Sequence, residues 1–177
     1  KVDLFQKSPN IAQRDFWLGT SYRFFALLDY LKSFQVDSVV HLESDSILLN
    51  NGNISQLFFD ESWKLAYPMQ AEGIGCASIF MVRKADSLED LCRFMMKEVK
   101  SGFVDDMTLL GRYAAQNQSV RRLPTSFHTK SNFIYDAQSV GRFYLGTDAR
   151  NSRIPFSTRG LIDGRKGSIS DELKKMN

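Results

Sequence analysis

The stretch Val36–Leu42 supplies β-forming residues, Val36, Val39, Val40 and Leu42, and stops abruptly at Glu43-Ser44-Asp45-Ser46. It reads as a short buried strand. Ile47-Leu48-Leu49 then resumes the apolar run, and Asn50-Asn51-Gly52-Asn53 is a turn. Before the strand, from about Asp15 or Thr20 to Phe34, the apolar positions Phe24, Leu27, Leu28, Leu31 and Phe34 fall at helical spacing. A helix leading into a buried strand that ends on acids makes a purely helical or purely β chain a poor solution.

The rest of the chain repeats the alternation. Residues 1–14 read as irregular. Trp63–Pro68 and Cys76–Arg83 are expected strands, the second one buried. Ser87 and Asp90 resemble a capping box for a helix over about Asp86–Lys100, ended by Ser101-Gly102. A further helix is expected over Asp106–Asn117, with Met107, Leu110 and Ala114 in phase, then a strand Val120–Leu123 closed by Pro124. Beyond it the chain reads mostly as loop, with one short helix near Ala137–Tyr144. Helices alternating with strands indicate an α/β fold around a mixed, mostly parallel sheet flanked by helices. With 177 residues and no visible repeat or linker, residues 1–177 are expected to form one domain.

Composition removes several function classes. At 43% hydrophobic the chain can build a core, which disorder and a disulfide scaffold cannot match. Its apolar runs, Ile79–Val82 among them, are far short of the roughly 20 residues that span a bilayer. Two Cys and two His cannot supply zinc-finger spacings. Cys76 and Cys92 read as reduced core thiols. The net charge of +3 hides an asymmetry. Residues 1–110 carry 11 Lys/Arg against 15 Asp/Glu, and residues 111–177 carry 12 against 5. That split is either ordinary surface variation or an acidic cation site faced by a basic segment that meets phosphate. Nucleic acid is not an expected partner, because the basic residues are scattered and no recognition motif accompanies them.

The chemistry concentrates at Val39-Val40-His41-Leu42-Glu43-Ser44-Asp45-Ser46. Alternation along an extended chain puts Glu43 and Asp45 on the same side, where both reach one cation. Two carboxylates so close repel each other unless a cation lies between them, and their hard oxygens suit Mg2+ or Mn2+. The alternative is a polar strand end facing water.

This segment resembles the Asp-any-Asp motif of glycosyltransferases with the nucleotide-diphospho-sugar (GT-A) fold, with Glu43 in place of the first Asp. The resemblance implies that Asp45 holds a divalent cation on the donor diphosphate. Glu43, with Ser44 beside it, would contact the ribose or help hold the metal. Ser21–Leu31 is similar to the preceding helix of that superfamily, where an Arg near the helix start reaches the donor. Arg23 matches it, and its alternative is a solvated helix residue. Ala66-Tyr67-Pro68, Gly75–Val82 and Asp105–Leu110 follow in the superfamily's order, and Leu123-Pro124 matches its strand-ending pair. Gly75 would be the closest approach to the donor sugar. His128 would be a third metal ligand, or else a surface residue. Phe133–Asp148 is similar to a stretch of some uncharacterised glycosyltransferase-like proteins, and its Asp136 and Arg142 read as surface residues.

The function so implied is a metal-dependent glycosyltransferase that moves a sugar from a nucleotide-sugar donor to a glycan or other hydroxyl acceptor. Neutralising the leaving diphosphate calls for a cation and basic side chains, and activating the hydroxyl calls for a carboxylate base. Asp106 is the first candidate base and Asp105 the second. Both could instead serve only the N-terminus of a helix, where an acid contributes roughly 0.3–1 kcal/mol without any catalysis. His41 reads as structural. Asn53-Ile54-Ser55 and Asn117-Gln118-Ser119 meet the glycosylation pattern, which often arises by chance. The chain is expected to lack the superfamily's first, nucleotide-binding strands, since few residues precede Glu43, and so to be exposed along one sheet edge. Two other readings stand beside the transferase. A haloacid-dehalogenase-like phosphatase needs an Asp nucleophile where this chain has Glu43. A non-catalytic glycan- or partner-binding module derived from a glycosyltransferase would tolerate it.

Overall fold

The structure is a computed structural model that describes residues 11–43, 46, 62–102, 104–125 and 135, residues 11–18 by their backbone alone. All of them lie in the first of two units, Lys1–Tyr135, the second being Asp136–Asn177. In chain order the elements are α1 (Ile11–Phe34), β1 (Val39–Leu42), β2 (Leu65–Ala71), β3 (Ile74–Gly75), β4 (Ile79–Val82), α2 (Ala85–Lys100), α3 (Asp106–Gln116) and β5 (Val120–Leu123).

α1 begins at Ile11, inside the segment expected to be irregular. It ends because Gln35 takes a left-handed conformation, φ 52°, and the Val36 amide then donates to the Leu31 carbonyl at 3.1 Å. That closing bond is the usual device for an orphaned last-turn carbonyl. It turns the chain before the sheet begins, so β1 opens at Val39 and not at Val36.

The sheet corrects the expectation of a mostly parallel arrangement. β4 lies between β1 and β2 and is antiparallel to both, with Val39 opposite Val82 and Leu65 opposite the same Val82. β2 and β3 form a further antiparallel pair, and only β5 joins β2 in parallel, Leu65 opposite Val120 through Pro68 opposite Leu123. The reason is connection length. A tight turn at Glu72-Gly73 returns the chain beside β2, which only an antiparallel pair permits, whereas the β2–β5 pair has α2 and α3 for its crossover. β1 and β2 still run in one direction, because each opposes β4.

Side-chain alternation gives the sheet two unlike faces. Leu65, Tyr67, Phe80 and Val82 pack under the three helices, against residues such as Leu28, Leu91 and Leu109. Each such burial removes about 1.5–3 kcal/mol of apolar exposure. On the other face Ala66, Ile79, Met81 and Leu123 cluster with Trp63 and Tyr135. Along β1, Val39 packs to the helical side while Val40 and Leu42 pack to the other. His41 and the following Glu43 are therefore carried toward the helices.

Two contacts fix α3. Aromatic rings run from α1 to the sheet, Phe24 edge-on to Phe80 at 5.1 Å and Phe80 stacked on Tyr67 at 5.4 Å, and the Tyr67 hydroxyl donates to the Leu110 carbonyl. Gly111 meets the backbone of the β2–β3 turn so closely that a Cβ would stand 1.8 Å from the Gly73 carbonyl oxygen. α2 corrects the capping-box reading: Lys84 is its N-cap and makes no side-chain cap bond, while Ser87 is buried inside the first turn. The lone β5 matches its expected bounds.

Candidate active site

The acids expected to act together arrive on separate elements. Glu43 leaves the end of β1, where its amide donates to the Ser78 carbonyl at 3.1 Å. The Ser46 hydroxyl donates to that same carbonyl at 2.9 Å, and the Ser46 amide to the Glu43 carbonyl at 3.0 Å. Ser78 offers this acceptor because β2 changes partner from β3 to β4 across Cys76-Ala77-Ser78. The chain after β1 is thus anchored at the carboxyl end of the strand.

Arg23, from the middle of α1, joins this strand end to α3. Its Nη1 pairs with Glu43 Oε1, and its Nη2 donates to Asp106 Oδ2 at 3.0 Å. Its Nε donates to the Thr20 carbonyl at 2.5 Å, and the guanidinium stands 5.7 Å from the Phe24 ring centroid. Arg23, Glu43 and Asp106 come from three separate stretches of sequence and meet in one partly buried cluster.

Asp105 and Asp106 separate clearly. Asp105 is the N-cap of α3: its carboxylate accepts from the Thr108 amide at 2.8 Å and from the Thr108 hydroxyl at 3.0 Å. That is the capping role open to it from the sequence. Asp106, the first helical residue, is 2% exposed, and its Oδ1 has no hydrogen-bond partner among the described residues. Burial pushes its carboxyl above the usual carboxylate range. Arg23 opposes that shift, Asp105 and Glu43 add to it, and the Met107 amide opposes it weakly.

Two further groups lie near this cluster, and a third buried polar group sits in the apolar stripe of α1. His41 is held below its ordinary value, first by burial and then by Arg23, with Glu43 working the other way, and its Nε2 has no partner among the described residues. The Cys76 thiol is pushed up by burial, with Ser78 opposing and Glu43 and Asp106 adding to the rise. Sequence reading missed Ser21, a hydroxyl 3% exposed whose Oγ has no partner among the described residues. Its spacing to Phe24, Leu28 and Leu31 was the available signal, a polar group in the buried stripe of α1.

Gly75 is buried, and a Cβ there would lie 2.6 Å from the Leu110 Cβ and 3.1 Å from Tyr67. Close packing of α3 therefore explains this glycine without a donor sugar. Ser44, Asp45, His128, Asp136 and Arg142 lie outside the described residues, as do Ile47–Leu49, the turn at Asn50–Asn53 and the expected helix near Ala137–Tyr144. Among the described residues, no group of three His, Cys, Asp or Glu is arranged to hold a metal. No described helix is long and apolar enough to cross a membrane. Compared with known proteins, the chain matches no family model, no curated protein and no solved structure.

Proposed function

We propose that the chain is a glycosyltransferase of the GT-A type, moving a sugar from a nucleotide-diphosphate donor to a hydroxyl acceptor. The observation that carries this reading is the Arg23 bridge between Glu43 and Asp106. It brings a cation and a buried carboxylate to the carboxyl end of β1, which are the groups that the transfer needs for the leaving diphosphate and for the attacking hydroxyl. In this mechanism Arg23 faces the diphosphate oxygens and offsets the charge that develops there. Asp106 accepts the proton of the acceptor hydroxyl as that oxygen attacks the anomeric carbon, and its raised pKa suits a base better than an ordinary carboxylate would. Asp105 acts by fixing the start of α3, which orients Asp106.

The divalent cation of this reading, Mn2+ or Mg2+, belongs to Asp45 with Glu43 and His128. Only Glu43 is among the described residues, and its carboxylate is engaged by Arg23. The described residues do not assemble a metal cage, so no step here runs through the ion.

Isothermal titration with UDP and GDP, with and without manganese, tests the proposal. Binding that requires manganese and is lost in Asp45→Ala supports it. Metal-independent binding indifferent to that change overturns the assignment of Asp45. One observation favours the non-catalytic binding module: Asp106 is sealed from solvent and paired, which is poor geometry for a base. Glycan-array binding without turnover would select that reading.

A further inference from the structure

Arg23 already serves two acids and a backbone carbonyl, and an entering phosphate competes with them for its single positive charge. Its three guanidinium nitrogens are all engaged, Nε by Thr20, Nη1 by Glu43 and Nη2 by Asp106. Guanidinium binds carboxylate and phosphate with the same planar pair of donors, so an entering phosphate contends for nitrogens already in use. The cluster is also overfilled with acid, holding one positive and two negative side chains, with Asp105 adding further negative charge around Asp106.

We propose that Asp106 is a built-in counter-anion for Arg23, displaced by an incoming phosphate or diphosphate, so that ligand binding and release of the Asp106 carboxylate are one event. This rests on the reading of the site as one for a diphosphate. No covalent bond changes; the guanidinium exchanges one anionic partner for another. Asp106 is the partner to yield because Oδ2 holds its only described ion pair while Oδ1 has no hydrogen-bond partner among the described residues, so a small movement of the guanidinium leaves the carboxylate without a described cation. While paired, the carboxylate is a weaker base than it would be without Arg23, whose charge opposes its uptake of a proton. Once released, it keeps the burial and the neighbouring acids that favour its taking a proton. The contact thus holds the proposed base idle until the phosphate-bearing ligand has arrived.

The distinguishing consequence runs against ordinary expectation: removing a site acid tightens ligand binding. Titration of inorganic pyrophosphate in magnesium buffer is expected to give roughly two- to tenfold tighter binding for Asp106→Asn than for the parent chain. Arg23→Gln loses binding, and Arg23→Gln/Asp106→Asn behaves as Arg23→Gln alone. Equal or weaker binding by a folded Asp106→Asn overturns the proposal and leaves the diphosphate reading standing. No pyrophosphate binding by parent or variant overturns both. Should Asp106→Asn fail to fold, the parent chain provides the second measurement. The Arg23 Nε–Hε resonance, assigned by its loss in Arg23→Lys, must shift on pyrophosphate addition, and a stationary signal overturns the exchange.

Discussion

The Tyr67 hydroxyl on β2 donates to the Leu110 carbonyl oxygen of α3 across 2.9 Å of buried core. The strand thereby holds the helix whose first residue is Asp106. Tyr67→Phe keeps the stack on Phe80 and removes only this bond. It should destabilise the unit by about 1 kcal/mol, read as a shift in urea midpoint at unchanged slope.

Gly111 and Gly19 should respond in opposite directions to alanine. A Cβ at Gly111 would strike the Gly73 backbone, which cannot yield as a side-chain tip would, whereas nothing stands within 4 Å of one at Gly19. Gly111→Ala is expected to lower stability by roughly 2 kcal/mol or more through forced separation of α3 from the turn. Gly19→Ala, inside α1, should raise it by about 0.5–1 kcal/mol. Thermal unfolding of the pair decides both.

Asp106 should behave as a site residue that weakens the fold. Its carboxyl is raised above the ordinary value of 3.8, so its protonated form is the one the folded state favours. The stability it contributes is complete below that ordinary value and is lost as the pH rises through its folded value. Asp106→Asn, which stays neutral, should therefore melt roughly 2–4 °C above the parent at neutral pH, with the two converging on acidification. Asp105→Ala should instead melt lower, losing about 1 kcal/mol with its cap.

Alkaline pH should expose Cys92. Burial foremost, with Glu89 and Asp29 adding, pushes its thiol up to about 12 from an ordinary 9.0. The unfolded chain releases this proton first, so stability is complete below about pH 9 and falls as the pH rises toward about 12. Near pH 10.5 the loss should be on the order of 1–2 kcal/mol. Cys92→Ala should show a shallower decline between pH 8 and that point in urea titrations.

Much of this architecture could be read from the residues, and the unread part has specific causes. β5 and the spans of α2 and α3 follow from periodicity and from Pro124. Strand direction does not, because a buried strand such as β4 has the same apolar character whichever way its neighbours run. β3 is only two residues long and leaves no period to detect. Ser87-x-x-Asp90 imitates a cap, but the helix starts at Ala85 under Lys84. Arg23, Glu43 and Asp106 were each nameable, whereas their meeting depends on an 83-residue separation closed only by packing. Asp105 and Asp106 divide their roles by helix phase, a one-residue matter that composition does not carry.

β4's place between β1 and β2 also bears on how the molecule assembles. β2 and β4 are close in sequence and pair with little loop to close, while β1 has no described strand partner except β4 and must await it. The polar cluster is therefore expected to form after the β2–β4 pair. Changes at Val40 should chiefly accelerate unfolding, and those at Ala66 should slow refolding, as φ-values would read. A chain caught before β1 docks would already hold its central hairpin while Glu43 had yet to reach Arg23, so ligand competence would lag behind compactness during refolding.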